Sequence, residues 1–365
     1  MKTTSIFTLW AALLLAVGLA TPALAAERTV ELRVADVNTL QVRNLAGSVR
    51  LVPGGNEFVI RARIHADRQD LADAIELRRS DSRGRAEVVV AIPDNLSRVR
   101  YDGEEFRRLD VSVDYLGRRV RVSGATGERL RVDLEITVPA GRTLEMRQGI
   151  GGIEADGLDA DLALESRYGR LRVNDGTGSL AATTASGSVA VTRFRGDVNA
   201  QAGSGSLTLD GVLGGVHAKT GSGAVNLRAI DGDQRAESGS GAIRVEDSAG
   251  SLTARTGSGS VRIEGLTSGP ELNISTGSGS VTVSGNLGPV RQLSVRTGSG
   301  SVRLDSSTEL SLDLHLSTGS GSLRVDVPTI SNVESGRRSF RGTVGAGAGQ
   351  ARIATGSGSV RVTAP

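Results

Sequence analysis

The residues of this sequence that could do chemistry lie in a recurring Thr-Gly-Ser-Gly-Ser motif, which is followed by two aliphatic residues with one residue between them. The motif begins at Thr256, Thr276, Thr297, Thr318 and Thr355. A glycine-rich loop can cradle phosphate, but a P-loop needs a Gly-Lys pair, and a dinucleotide loop needs glycine at the sixth position. The chain offers neither at these copies. The motif therefore does not predict a nucleotide site.

Calcium is the second chemistry that paired glycines suggest. The calcium-binding β-roll has nine-residue halves with the pattern GGxGxD, in which a carboxylate of each turn supplies the hard oxygen ligand. In the TGSGS copies the corresponding positions carry hydroxyls, with no Asp or Glu. We therefore expect no metal and no other cofactor.

Candidate catalytic residues are the three histidines and any recurring pair of carboxylates. His65, His217 and His315 are scattered, and neither a Ser–His–Asp spacing nor a paired carboxylate recurs. We expect that the protein is not an enzyme. The alternative is a polysaccharide-active β-helix, which would require acids clustered on one face.

A column of arginines is the main candidate for binding. These residues stand between the paired aliphatics that follow the motif: Arg244, Arg262, Arg303 and Arg324, with Arg172 and Arg361 at equivalent places. Alone, they would form a basic ladder able to grip a polyanion such as lipopolysaccharide. Two residues further along stand the acids Asp210, Glu246, Glu264, Asp305 and Asp326. Adjacent columns of opposite charge predict a compensated surface whose pairs are each worth little.

A column of hydroxyls is a further possibility, because a flat threonine array is typical of ice-binding solenoids. It comprises Thr220, Thr256, Thr276, Thr297, Thr318 and Thr355. Its location at a corner argues against that function.

The chain begins with a signal-peptide pattern over residues 1–25: Lys2, an apolar run and the small-residue site Ala23-Leu24-Ala25. Formal charge is 43 − 40 = +3, and loss of Lys2 leaves 42 − 40 = +2. Aromatic residues make up only 2%, which disfavours stacking on nucleic acid. We expect an exported, most simply periplasmic, protein without a transmembrane segment and without a nucleic-acid partner. An envelope protein or a glycan is the expected partner, and the oligomeric state stays open.

A repeat in the sequence predicts the secondary-structure elements that position these residues. Glycines recur every 18 residues from Gly169 to Gly259, and the later spacings are 20, 21, 21 and 37. The corner glycines so identified are Gly187, Gly205, Gly223, Gly241, Gly259, Gly279, Gly300, Gly321 and Gly358. A second column lies nine residues out of phase: Gly178, Gly196, Gly214, Gly232 and Gly250. A fixed period of this kind indicates a solenoid, whose tight corners favour glycine because it adopts positive φ.

The apolar residues predict two strands in each coil. Aliphatics stand two and four residues after each glycine of the first column, as in Val189 and Val191, which is the alternation of a half-buried strand. The second half-repeat carries an alanine column from Ala182 to Ala254. A left-handed helix of hexapeptides would need an aliphatic every sixth residue, which the coil 207–218 lacks. The sequence therefore favours an all-β fold, a right-handed parallel β-helix (β-solenoid) with coils of 18–21 residues.

The flanking regions divide the chain. We predict an N-terminal β-rich region over 26–128, with a charged excursion that contains a short helix near Gln69–Leu77 and strands near Glu87–Ile92 and Leu109–Val113. The solenoid domain is predicted over 129–365. Residues 327–349 interrupt it as an exposed loop or hairpin. The excursion and this insertion are candidate caps for the exposed strand edges of the stack.

The order of these motifs resembles a known family. EITVPAG at 135–141, repeated TGSGSVR units, and RRSFRGTV at 337–344 before a last TGSGSVRV are similar to a bacterial adhesin family of unknown function with β-strand repeats, itself similar to the head domain of auto-transporter adhesins. The resemblance implies a β-helix of the cell envelope and supplies no catalytic residue. We therefore expect a non-enzymatic adhesin or interaction scaffold that presents a long solenoid surface.

Overall fold

The computed structural model describes residues 26–102, 106–267 and 269–365, so the predicted signal peptide at 1–25 lies outside it. The N-terminal elements are β1 (Ala26–Val34), β2 (Thr39–Ala46), β3 (Val49–Pro53), β4 (Phe58–Ala66), α1 (Gln69–Asp73), β5 (Glu76–Ser82), β6 (Arg85–Ala91), β7 (Arg98–Arg100), β8 (Asp110–Tyr115), β9 (Arg118–Ser123) and β10 (Glu128–Val138). The predicted helix is present but short. The two predicted strands of the excursion correspond to β6 and β8.

The repeats then follow as pairs of strands. The first half comprises β11 (Arg142–Ile150), β12 (Ile153–Asp156), β13 (Ala160–Tyr168), β14 (Leu171–Thr177), β15 (Leu180–Ser186), β16 (Val189–Arg195), β17 (Val198–Ala202), β18 (Leu207–Leu213), β19 (Val216–Thr220), β20 (Val225–Arg228), β21 (Gln234–Ser238) and β22 (Ile243–Glu246). The second half comprises β23 (Leu252–Thr256), β24 (Val261–Thr267), β25 (Glu271–Thr276), β26 (Val281–Asn286), β27 (Gln292–Thr297), β28 (Val302–Ser306), β29 (Leu312–Thr318), β30 (Leu323–Asp326), β31 (Ile330–Ser335), β32 (Ser339–Val344), β33 (Gly349–Thr355) and β34 (Val360–Thr363).

Successive strands of the repeats alternate between two long sheets, which confirms the all-β prediction. Sheet A has 18 strands and contains the even-numbered strands from β12 to β30 together with β34. Sheet B has 16 strands and contains the odd-numbered strands from β11 to β33 together with β32. Neighbouring repeat strands are parallel, and in the middle of the stack paired residues are 18 apart, as in Val189 opposite Leu207. This is the arrangement of a solenoid.

The core lies between the two sheets. Along each strand buried and exposed residues alternate, so Leu207 and Leu209 point inward while Thr208 is exposed. The predicted alanine column lines sheet B, where Ala200 and Ala218 are fully buried. Phe194, also fully buried, is the largest side chain of the middle coils. The core of the middle coils is therefore narrow, because small residues of sheet B face aliphatics of sheet A.

The N-terminal end departs from a simple stack. In sheet A, β10 lies between β4, which is antiparallel to it, and β3, which is parallel. In sheet B, β2 pairs in parallel with both β6 and β11. The antiparallel strand β5 forms the outer edge of that sheet, and its residues are mostly exposed and charged, which hinders edge-to-edge association.

The C-terminal end has an order that the sequence did not predict. The last two strands do not form the outermost coil: β33 lies between β27 and β29, and β34 lies between β28 and β30. The chain therefore passes over one position in each sheet, forms the outer coil β29–β30, and then returns to fill the gap. The insertion at 327–349 contains the antiparallel hairpin β31–β32, and β32 pairs with β29 at the end of sheet B.

Candidate functional site

The Thr-Gly-Ser-Gly-Ser corner is built around a buried hydroxyl. Thr256 donates from Oγ1 to the carbonyl oxygen of Gly241 in the preceding coil at 2.9 Å, and accepts from the backbone N–H of Gly259 at 3.2 Å. The same pair of bonds is made by Thr220, Thr276, Thr297, Thr318 and Thr355. All six threonines are buried. The hydroxyl column is thus internal to the stack, and the flat ice-binding array considered from the sequence is not formed.

The corner glycines are required for a reason other than the predicted one. None of the first column has positive φ, whereas the second column does, for example Gly232 at 153°. At Gly223 an added Cβ would lie well within 3.0 Å of the backbone of Gly205 in the coil below. Equivalent conflicts with the neighbouring coil occur at Gly187, Gly205, Gly241, Gly259, Gly279, Gly300, Gly321 and Gly358. Close approach of successive backbones, not left-handed conformation, excludes a side chain here.

The arginine column lies on the outer face of sheet A, and its four main members, Arg244, Arg262, Arg303 and Arg324, each have an acidic neighbour. The shortest pair joins Arg303 Nε to Asp305 Oδ2 at 2.7 Å. The other three pairs are Arg244 with Glu246 at 3.6 Å, Arg262 with Glu264 at 3.3 Å, and Arg324 with Asp326 at 3.8 Å. Their side chains are largely exposed, so each pair contributes little stability, and the paired acids reduce the attraction of the column for a polyanion.

The groups with shifted pKa values belong to structural pairs. Hydrogen bonding and attraction from the Arg193 guanidinium lower the pKa of Asp175. Burial raises the pKa of Tyr115, whose hydroxyl donates to the carbonyl oxygen of Val90 at 2.6 Å. His65, His217 and His315 lie on β4, β19 and β29, so the fold does not bring them together. Within the described ranges, no three His, Cys, Asp or Glu side chains are grouped so that they could hold a metal ion.

A groove lies on the outer face of sheet B. It has a volume of about 580 Å³ and crosses the strands from β11 to β19 near the turns that precede them. Its floor is formed by the first outward-facing residue of each strand, which is small in Ala163 and Ala181 and larger in Asn199 and His217. The lining is mostly apolar, so the groove can make apolar contacts with one side of a narrow, extended ligand.

Acidic residues line one side of this groove. Asp161, Asp197 and Asp233 occupy equivalent positions near the start of the sheet B strands in every second coil, and Ser179 and Gly215 occupy that position in the coils between. Glu145 is the fourth charged residue of the lining, and it pairs with Arg85 at 3.1 Å. No arginine or lysine lines the groove.

A second groove lies beside the first on the same face, and its charge is mixed. It has a volume of about 470 Å³ and is lined by the second outward-facing residues of the strands and by the turns that follow. Glu165, Arg167 and Lys219 are its charged residues. Both grooves lie on the outer face of sheet B, whereas the arginine column lies on the outer face of sheet A.

Sequence reasoning missed the acidic groove. The available signal was the aspartate that recurs every 36 residues at 161, 197 and 233. It was obscured because the intervening coils carry serine or glycine at that position, so no unbroken column stands out. The sequence identified the arginine column, which occurs in neighbouring coils at Arg244 and Arg262, and the fold pairs both of these arginines with acids.

Comparisons with known proteins find two solved structures of low similarity and one family. A candidate cell adhesion protein from Clostridium sporogenes ATCC 15579 is 8% identical, with a TM-score of 0.22, and the match covers 93% of this chain and 100% of that one. A candidate adhesin from Bacteroides fragilis NCTC 9343 is 12% identical, with a TM-score of 0.26, and the match covers 93% and 97%. No curated protein matches the chain. Among the described residues, none of the helical segments has the length and apolar character of a membrane span. The family described as Toastrack DUF4097 matches residues 72–363, and the chain belongs to it.

Proposed function

We propose that the protein is a non-enzymatic interaction scaffold of the cell envelope, exported by the segment at residues 1–25, which binds an envelope protein or glycan along the outer face of sheet B. The observation that carries the proposal is the groove of about 580 Å³ that crosses successive coils of that sheet. Partner binding along a solenoid commonly uses such extended surfaces. We also propose that the coils wind right-handed, as parallel crossovers nearly always do.

The absence of enzymatic activity is part of the proposal and is supported by the chemistry around the groove. Asp161, Asp197 and Asp233 each accept a backbone N–H of the next coil, at 2.8, 2.8 and 3.1 Å. Such carboxylates are held by the fold. They are two coils apart, about 10 Å at a strand spacing of about 4.8 Å. Paired acids that hydrolyse glycosides lie roughly 5–9.5 Å apart across one bond, and one of the pair has a raised pKa. The pKa of Asp161 is lowered instead, by the hydrogen bonds from Ser179.

A pair of matched variants tests the scaffold function. Ala181 is exposed on the floor of the groove, and Thr208 is exposed on the outer face of sheet A. We expect Ala181→Arg to weaken binding of labelled protein to envelope preparations by about tenfold, a change of about 1.4 kcal/mol, while Thr208→Arg leaves it unchanged. Equal binding by both variants would contradict a role for the groove. Release of reducing ends from envelope polysaccharides would contradict the non-enzymatic assignment.

A further inference from the structure

The groove of sheet B carries unpaired negative charge along one side. Among the described residues, no arginine, lysine or histidine nitrogen lies within ion-pair distance of Asp161, Asp197 or Asp233. In the sheet A column, by contrast, five arginines each have an acidic neighbour: Arg172, Arg244, Arg262, Arg303 and Arg324. Each of the three aspartates is exposed to solvent. A ligand in this groove would therefore meet fixed anions with no compensating cations from the protein.

The three carboxylates are held in position by the stack. In each of them Oδ1 accepts the backbone N–H of the next coil, and Asp161 also accepts the hydroxyl of Ser179 at 2.6 Å. No hydrogen bond is made to Oδ2 of these residues in the part of the chain that the structure describes. The second oxygen of each carboxylate is thus available to a ligand, while the first fixes the side chain.

The spacing of the aspartates selects a ligand geometry. Adjacent strands of a sheet lie about 4.8 Å apart, so carboxylates in alternate coils are about 10 Å apart. A polyproline II peptide has three residues per turn and a rise of about 3.1 Å, which places every third side chain on one face at intervals of about 9 Å. Three carboxylates in alternate coils, spread over five coils, therefore match cations at positions i, i+3 and i+6. In a β-strand, by contrast, side chains three residues apart point to opposite faces.

We propose that the acidic groove binds an extended, polyproline II-like peptide segment of a partner protein that carries lysine or arginine at every third residue. Such a segment lies along the solenoid axis, across the strands of sheet B. Its cations pair with Asp161, Asp197 and Asp233, and its apolar residues pack on the floor at Ala163 and Ala181. This inference rests on the proposed function, since it names the class of partner for the same surface. Anionic glycans are repelled by the same charges.

Two peptides of identical composition test the periodicity. In Lys-Pro-Pro-Lys-Pro-Pro-Lys the cations recur every third residue, while in Lys-Lys-Lys-Pro-Pro-Pro-Pro they are contiguous. We expect the full chain to bind the periodic peptide at least about tenfold more tightly in titration calorimetry. Equal affinities for the two peptides would overturn the proposal, because they would indicate attraction to net charge alone.

Two triple variants test the location. Asp161→Asn, Asp197→Asn and Asp233→Asn together keep an oxygen that can accept the backbone N–H but remove the charge. A matched control, Glu246→Gln, Glu264→Gln and Asp326→Asn, removes three charges from sheet A. We expect the first variant to lose at least about tenfold in affinity for the periodic peptide and the second to lose none. Equal losses, or no loss in the first variant with an unchanged circular dichroism spectrum, would overturn the proposal.

The outcomes separate this inference from the scaffold function. If neither peptide binds but Ala181→Arg still weakens binding to envelope preparations, the groove binds a partner of different chemistry and only the peptide inference fails. If Ala181→Arg has no effect on envelope binding, the scaffold function itself fails. A peptide that binds the wild type and the sheet B variant equally would place its site elsewhere.

Discussion

At the scale of single residues, the corner motif combines a glycine that must lack a side chain with a threonine that bonds the neighbouring coil. The glycine must lack a side chain because the backbone of the neighbouring coil lies against it, as Gly205 does against Gly223. The threonine three residues earlier holds the same contact by bonding the carbonyl oxygen of the coil below. Repetition of the motif therefore reflects repetition of a close backbone contact, and it carries no catalytic meaning.

The first prediction concerns the glycine. We expect Gly223→Ala to lower the free energy of unfolding by about 1–3 kcal/mol, because overpacking forces the two backbones apart. Ser222→Ala serves as the control, since Ser222 is exposed at the adjacent position. Urea denaturation followed by circular dichroism measures both. Similar small losses in the two variants would show that the corner tolerates a side chain.

The second prediction concerns the hydroxyl. Thr256→Val keeps the shape of the side chain but leaves the carbonyl oxygen of Gly241 and the N–H of Gly259 without their bonds. We expect a loss of about 1–3 kcal/mol, the cost of unsatisfied buried polar groups.

Serine provides the matched control for that position. Ser238 naturally makes the equivalent bonds one coil earlier, to the carbonyl oxygen of Gly223 at 2.9 Å and from the N–H of Gly241 at 2.8 Å. Thr256→Ser should therefore cost no more than about 0.8 kcal/mol, the value of one methyl group. If Thr256→Val lost no more stability than Thr256→Ser, the bonds of the hydroxyl would not contribute to the stability of the corner.

At the scale of elements, the N-terminal strands depend on a carboxylate. Asp133 of β10 accepts both the backbone N–H and the hydroxyl of Ser48 at 2.7 Å, and Arg131 lies 2.8 Å away. Burial acts to raise the pKa of Asp133, but the bonds from Arg131 and Ser48 outweigh it and lower the pKa below 3.8. The charged form of this side chain therefore ties β10 to the turn before β3.

The third prediction is the pH dependence of that contact. Because the folded pKa of Asp133 is lowered, its contribution to stability is present above the unfolded value of 3.8 and is lost as pH falls through the folded value. We expect the free energy of unfolding to fall less steeply below about pH 4 in Asp133→Asn than in the wild type. Asp326→Asn, at an exposed position, is the control and should keep the wild-type slope. Parallel pH profiles for all three proteins would contradict the assignment.

The elements themselves could be predicted from the sequence to a large extent. Alternation of aliphatics such as Val189 and Val191 predicted strands where β16 lies, and the hairpin at 327–349 was expected as an interruption. The order of the coils could not be predicted, because every TGSGS corner offers the same bonds. The carbonyl oxygen of Gly300 accepts from Thr355 at 2.8 Å and could equally accept from the threonine of the next coil along the chain, Thr318. Local periodicity therefore specifies how coils stack but not which coils are neighbours.

At the scale of the whole molecule, the returning C-terminal strands lock the far end of the stack. In an ordinary solenoid the last coil has one neighbour, and its loss exposes one interface. Here β33 and β34 contact a coil on each side. The link between β28 and β29 spans this inserted coil, and it is tied back to Asn286 by Thr308 at 2.8 Å. The position of the outer coil β29–β30 in the stack therefore depends on β33 and β34, which follow it in the sequence.

The fourth prediction follows from this order. A chain that ends at Ala348 lacks β33 and β34, so β29 and β30 lose their parallel partners in both sheets. We expect the amides of Leu314 and Val325 to exchange with deuterium at rates typical of unfolded chain, while Val245 in the middle of the stack keeps its protection. A chain that ends at Thr363 is the control and should keep protection throughout. Persistent protection of Leu314 in the shorter chain would show that the outer coil docks directly on β27, and that the inserted coil is not needed to hold it.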